Sequence, residues 1–166
     1  MTLERTDIDT PVGPVALVTR DETLVALVFA DRWDHITANL MARFGTAEPT
    51  PSAGGEAAAR LRDYLAGDLA ALDAVPLDPG GTPFQRRVWD ALRRIPVGTT
   101  ISYGELACAI DQPTAFRAVA AANGQNPISI VIPCHRVIAK SGKLHGYGGG
   151  LPRKAWLLVH EGAALA

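Results

Sequence analysis

The chain has 166 residues, 48% apolar and 20% charged, which suffices for one ample core or two small ones and argues against a disordered chain. Its two cysteines, Cys108 and Cys134, are too few for a disulfide framework; with no CxxC pair and His35 standing alone, neither a metal centre nor a cofactor is expected. The net charge of -1 conceals a division: residues 1–81 hold 6 Lys and Arg against 13 Asp and Glu, whereas residues 82–166 hold 10 against 4. A basic half fused to an acidic half favours a polyanion partner for the basic half over a chance segregation of solvated charges. The opening Met1-Thr2-Leu3-Glu4-Arg5 lacks the basic start and apolar run of a signal peptide, and no stretch approaches a membrane span. A cytoplasmic protein with no membrane partner is therefore expected.

In chain order, Pro14–Thr19 and Thr23–Phe29 are β-branched apolar runs split by Arg20-Asp21-Glu22, which predicts a β-hairpin. Helices are predicted over Asp34–Phe44 and Gly55–Ala66, the second with Ala58, Leu61, Tyr64 and Leu65 on one face. Pro76-Leu77-Asp78-Pro79-Gly80-Gly81 is the strongest linker pattern and coincides with the switch of charge, so it marks a domain boundary, with residues 1–78 on one side and 79–166 on the other. Thr82-Pro83-Phe84-Gln85 has the form of a capping box, opening a helix whose face carries Phe84, Val88, Leu92 and Ile95. Ser102-Tyr103-Gly104-Glu105 is a second capping box, Asp111-Gln112-Pro113 a turn, and Thr114 a cap for a helix over Ala115–Asn123 closed by Gly124. This is a helix-turn-helix in outline. Its second helix, with Ala115, Ala118, Ala120, Ala121 and Ala122, is nearly bare of long side chains. Two readings stand level: an alanine-rich packing helix, or a helix shaved for close approach to a narrow groove with Arg117 as its probe.

Asn126-Pro127 precedes a predicted strand, Ile128–Ile132, which delivers Cys134 at a strand edge, with Pro133 setting the turn. Cys134 stands beside His135 and Arg136, and neighbouring cations or an imidazole favour the nucleophilic thiolate. From this string alone, a reactive thiol and a buried inert one are equally good readings. Five glycines within residues 142–150, with Tyr147 among them, describe a loop that brings backbone amides close to a ligand. A last helix is predicted over Arg153–His160, before Glu161-Gly162.

Together these residues resemble the O6-alkylguanine-DNA alkyltransferase family, the methylated-DNA–protein-cysteine methyltransferases. The resemblance spans Thr82 to Gly162 through Ser102-Tyr103-Gly104-Glu105-Leu106-Ala107, Arg117-Ala118-Val119, Asn126-Pro127, Pro133-Cys134-His135-Arg136-Val137-Ile138, Gly146-Tyr147-Gly148-Gly149 and Leu157-Leu158 with Glu161-Gly162. The N-terminal half matches more loosely, through Pro11-Val12-Gly13-Pro14 and the hairpin. The implied architecture is two-domain α+β. Residues 1–78 form an acidic N-terminal α/β domain (hairpin plus sheet, RNase H-like by resemblance) with its linker; residues 79–166 form a mostly helical DNA-binding and alkyl-acceptor domain with a helix-turn-helix and a short strand carrying the nucleophile.

The implied activity is direct-reversal DNA repair, in which the alkyl group of O6-alkylguanine in duplex DNA, with O4-alkylthymine as a second candidate lesion, passes irreversibly to Cys134 after base flipping. By resemblance, His135 is a water-mediated base, Glu161 orients it, Asn126 supports the active-site turn, and Tyr103 aids flipping and contacts the guanine. Arg117 fills the gap left by the base, and Ala118, Ala121, Ala122, Thr114 and Arg136 are DNA-binding positions in the minor groove. Val137, Tyr147, Gly148, Ser129 and Lys154 belong to the substrate pocket, while Lys140 and Lys143 are further phosphate-facing or structural cations. A monomer is expected, with cooperative assembly along DNA left open. Ala120 stands where members often have glycine, and Ser129 where some have proline. Zinc-binding relatives carry N-terminal cysteines that this chain lacks. A damage-binding protein that flags the lesion without transfer, and a cysteine hydrolase, are the competing readings.

Overall fold

The computed structural model describes residues 2–142, 144 and 146–163 and is α+β. The chain divides into two compact units: Met1–Gly80 with Pro127–Val131, and Gly81–Asn126 with Ile132–Ala166.

The first unit is built on a four-stranded sheet of order β3-β2-β1-β4. β1 (Leu3–Ile8), β2 (Val15–Arg20) and β3 (Thr23–Phe29) form an antiparallel meander, and the two-residue β4 (Thr50–Pro51) lies parallel to β1. The expected hairpin is β2–β3. Its two-residue loop is Asp21-Glu22, both at positive φ (50° and 66°), the double left-handed bend that matches strand twist but normally selects Asn-Gly. Glu22→Gly relieves the left-handed penalty and offsets it only partly with lost chain entropy. A gain of about 0.5 kcal/mol in a urea melt is the expected outcome, and a loss would show that the glutamate side chain contributes more than its backbone costs.

α1 (Trp33–Phe44) sets Ile36 and Leu40 into a cluster with Leu3, Val18, Val25 and Val28 of the sheet. It ends at Gly45 (φ 73°), whose N–H donates to the Met41 carbonyl at 2.9 Å. α2 (Glu56–Leu65) buries Ala57, Ala58, Leu61 and Tyr64. The β3 edge is covered by two chain segments bridging at Leu24↔Leu77 and Leu27↔Ile128, which satisfies backbone groups an open edge would leave to solvent. Arg43 ties the linker down, donating to the Val25 carbonyl (3.0 Å) and the Asp78 carbonyl (2.8 Å).

The second unit opens at Gly81 (φ 87°), where a Cβ would stand 2.5 Å from the Trp89 ring. α3 (Pro83–Arg93) starts with the expected capping box: Gln85 N–H donates to Thr82 Oγ1 at 3.1 Å, and Thr82 N–H to Gln85 Oε1 at 2.9 Å. α4 (Tyr103–Ala109) has its own box between Ser102 and Glu105. α5 (Phe116–Gly124) packs on α3 and α4, and Trp89 Nε1 donates to the Ala122 carbonyl at 2.8 Å. β5 (Ile101–Ser102) pairs in parallel with β6 (Val137–Ile138), and α6 (Leu151–His160) closes the unit.

Three expectations fail here. Ile128–Ile132 is not a strand. Only Ile128 bridges the sheet, and the Val131 N–H then donates to the Ser129 carbonyl (2.8 Å) around Ile130 at φ 72°, a γ-turn of the rare positive-φ kind. Three residues on, the Cys134 N–H donates to the Ile132 carbonyl (2.8 Å) around Pro133 (φ -82°, ψ 65°), an inverse γ-turn. The β-branched residues of this run serve burial, not a ladder: Ile128, Ile130 and Ile132 are all at most 2% exposed. Thr114 does not cap α5; the cap is Ala115, with no side-chain hydrogen bond. Gly124 is the last residue of α5 rather than a left-handed stop after it, and Gln125 is the C-cap.

Candidate active site

The paired β5 and β6 register Ile101 against Val137 and so bring the start of α4, Tyr103, beside the segment that follows Cys134. Cys134 begins a single 3-10 turn, Cys134–Arg136, directly after the inverse γ-turn. It is buried (7% exposed) and follows a turn rather than the strand edge that was expected. Asn126 fastens the approach: its Nδ2 donates to the Ile132 carbonyl at 2.7 Å, the same carbonyl that receives the Cys134 N–H.

Burial pushes the Cys134 thiol up, while the Asn126 amide, the Lys154 ammonium and the backbone pull it the other way. The resting group is therefore a thiol held among donors that favour its anion. Burial likewise lowers His135, against the raising effect of Glu161, so its imidazole is neutral. His135 Nε2 lies 2.9 Å from Glu161 Oε2. Burial alone would raise the Glu161 carboxyl, but hydrogen bonds from His135 and Arg136 overcome that and hold it at about 2. An ionised carboxylate only accepts, so Nε2 carries the imidazole proton and Nδ1 is the basic nitrogen. Nδ1 is buried and has no hydrogen-bond partner among the described residues.

Arg136 clamps Glu161 from the other side, Nε to Oε1 at 2.8 Å and Nη2 to Oε2 at 2.9 Å, with Nη1 donating to the Ile95 carbonyl at 2.7 Å. This bidentate pairing balances a carboxylate that is 4% exposed. It also corrects the expected role of Arg136 as a DNA-binding side chain, because its guanidinium is turned inward onto Glu161. Lys154 is fully buried, its Nζ donating to the Val137 carbonyl at 2.6 Å and the Gly146 carbonyl at 3.4 Å. Desolvation lowers it to about 8, with the Cys134 charge acting in the opposite direction. It is thus the pin between β6, the glycine-rich loop and α6.

Tyr103 is buried, and its phenol is raised by burial and by Cys134. A Cβ on Gly146 would stand 3.7 Å from its hydroxyl, so the glycine-rich loop passes close over it. Tyr147 is half-buried with its hydroxyl out of solvent, and Gly148 is exposed in a turn. Arg117, Ala118, Ala121 and Thr114 are exposed on and just before α5, whereas Val119, Ala122 and Asn123 face inward. Ala122, 2% exposed, is therefore a packing residue and not part of the outer face, the second correction to the expected DNA-binding set. Cys108 is exposed on α4, and Ser129 lies in the segment that belongs to the first unit.

The family described as 6-O-methylguanine DNA methyltransferase, DNA binding domain, matches residues 83–163. The methylated-DNA–protein-cysteine methyltransferase of Salmonella typhimurium is 45% identical over 162 residues, covering 95% of this chain and 95% of its own. The chain belongs to the methylated-DNA–protein-cysteine methyltransferase family. Its Mycobacterium tuberculosis relative of the same name is 48% identical over 154 residues, covering 93% of this chain and 89% of its own. The crystal structure of Mycobacterium tuberculosis OGT in complex with DNA superposes with a TM-score of 0.80 at 43% identity, covering 96% of this chain and 92% of that one. An O6-methylguanine-DNA methyltransferase from Pyrococcus kodakaraensis has the same fold at 26% identity, with a TM-score of 0.67 and 97% and 99% coverage. Among the described residues no helix is long and apolar enough to cross a membrane. Of the cations expected near the methyltransferase site, Lys140 is exposed and Lys143 lies outside the described residues.

Proposed function

We propose that Cys134 is the sulfur that receives the alkyl group in the direct-reversal DNA repair this family performs, with O6-alkylguanine in duplex DNA as the substrate. The observation that carries the reading is the buried thiol next to a neutral imidazole whose Nε2 is committed to Glu161 at 2.9 Å and whose Nδ1 remains basic. The thiol proton passes to Nδ1 through a water, and the Glu161 carboxylate stabilises the imidazolium that forms. The sulfur attacks the alkyl carbon; the S–C bond forms as the C–O6 bond breaks, and the guanine leaves with the electron pair. Tyr103, whose raised pKa keeps its phenol protonated, donates a hydrogen bond to the departing guanine. The guanine anion then takes up the proton that the imidazolium returns through water, which leaves His135 neutral again. The thioether product offers water no leaving group, so each chain acts once.

The base must leave the stack to reach a thiol that is 7% exposed. The outer face of α5, bearing Thr114, Arg117, Ala118 and Ala121, lies along the minor groove. Small side chains permit close approach there, and Arg117 occupies the gap. Val137, Tyr147 and Gly148 line the pocket. The first unit, with an RNase H-like topology, has an acidic balance that makes it a poor DNA binder; its role is to stabilise or to coordinate neighbours.

Arg117→Ala is expected to slow reaction with an O6-methylguanine duplex by about tenfold or more while changing reaction with free O6-benzylguanine less than twofold. Single-turnover rates on the two substrates check this. Equal losses on both would remove α5 from the groove.

A further inference from the structure

Phe116 opens α5 on its exposed side and is 51% exposed, the only large apolar side chain left open on this helix among the described residues. Its surroundings on that face are Thr114, Arg117, Ala118 and Ala121, all short except the arginine. Burying a phenyl ring is worth more than burying most side chains, and an ordinary packing helix would turn it inward, as α5 does with Val119. Instead the Phe116 ring pairs with Tyr103: the ring centroids are 6.0 Å apart at an interplanar angle of 62°, an edge-to-face pair. Tyr103 in turn is buried and coupled to Cys134. The Phe116 ring thus meets Tyr103 on one side and is open on the other to whatever lies on α5.

We propose that Phe116 is a stacking contact for the nucleotide that flanks the extruded base, acting beside Arg117: the arginine fills the gap and the phenyl ring caps the exposed face of the neighbouring base. The proposal rests on the placement of α5 in the groove given above. Flipping one base strips its neighbour of a stacking partner, and an aromatic side chain restores that contact whatever the base identity, because every base presents a π-face. Tyr103 supplies the rigidity; a freely rotating phenyl would lose more side-chain entropy on binding. The contact adds duplex-specific stabilisation without touching the reacting atoms, so Phe116 is a positioning residue rather than a catalytic one.

Phe116→Ala and Phe116→Trp, measured in single-turnover reactions on an O6-methylguanine duplex and on free O6-benzylguanine, test the idea. The alanine variant should lose about tenfold on the duplex and less than twofold on the free base, and the tryptophan variant should restore the duplex rate. An equal loss on both substrates would overturn the proposal, since the ring would then act only by propping Tyr103 in the pocket. An unchanged duplex rate, or failure of tryptophan to rescue, would overturn it as well. Arg117→Ala in the same assay separates the two layers. A duplex-selective loss for Arg117→Ala but not Phe116→Ala leaves α5 in the groove and removes Phe116 from it. No selectivity in either variant removes α5 itself.

Discussion

Cys134→Ser is expected to lose alkyl transfer completely and to bind lesion-containing duplex with the affinity of the parent protein. The reason lies in what the two atoms can do. Displacement at an alkyl carbon demands a soft, strong nucleophile, and a serine hydroxyl in the same place would have to be deprotonated against a far higher pKa in a site where burial already raises the thiol. The outer face of α5 and the Arg136–Glu161–His135 set do not depend on the sulfur, so the binding surface persists. Transfer is read from the protein's mass after reaction, and affinity from a gel shift with the same duplex. Residual transfer in Cys134→Ser would shift attention to exposed Cys108.

Glu161→Gln is the second large effect, and it acts on stability and chemistry together. The carboxylate sits at 4% exposure between the Arg136 guanidinium and the His135 ring. Removing its charge leaves Arg136 uncompensated in a low-dielectric surrounding, at a cost of about 3–5 kcal/mol in a urea or thermal melt. The amide can also donate to Nε2, which moves the ring proton to Nδ1 and removes the basic nitrogen. A rate loss of about a hundredfold or more on both duplex and free base is expected.

The same group sets an acid limit on the fold. Its folded pKa of about 2 lies below the ordinary 4.5, so its stabilisation is fully present above about pH 5 and is lost as the pH falls toward 2. That loss amounts to roughly 3 kcal/mol. In Glu161→Gln this part of the acid dependence disappears. A mutant whose stability fell as steeply between pH 5 and pH 2 as the parent's would assign the acid sensitivity to other carboxylates.

Local chemistry was the legible part of the sequence. Thr82 and Ser102 announce their helices because a capping box is a contact within four residues, and the α5 stripe of small residues needs only helical spacing to be seen. β1 was missed because Glu4, Arg5 and Asp7 interrupt its apolar positions, and Leu3, Thr6 and Ile8 become buried only once β2 pairs with it. The approach to Cys134 misled for the opposite reason. Ile128–Ile132 has the composition of a strand, yet long-range burial and two γ-turns decide its path, and a positive φ at Ile130 has no signature in a β-branched residue.

The cations taught the same lesson. By resemblance Arg136 was expected at the DNA and Lys154 in the substrate pocket, but their partners, Glu161 and the Val137 carbonyl, are 25 and 17 residues away. No local rule reveals that they are buried pins. Ala122 and Ala121 are likewise adjacent in sequence, and only the packing of α3 on α5 separates the inward one from the outward one.

Single use of Cys134 as the alkyl acceptor is tested most directly by mixing the protein with an excess of duplex carrying O6-methylguanine, following the intact mass to completion, and mapping the modified peptide. A gain of one methyl per chain is expected, carried on Cys134, with repaired duplex equal in amount to protein. Repaired duplex accumulating beyond one equivalent, or a methyl group on any residue other than Cys134, would contradict it.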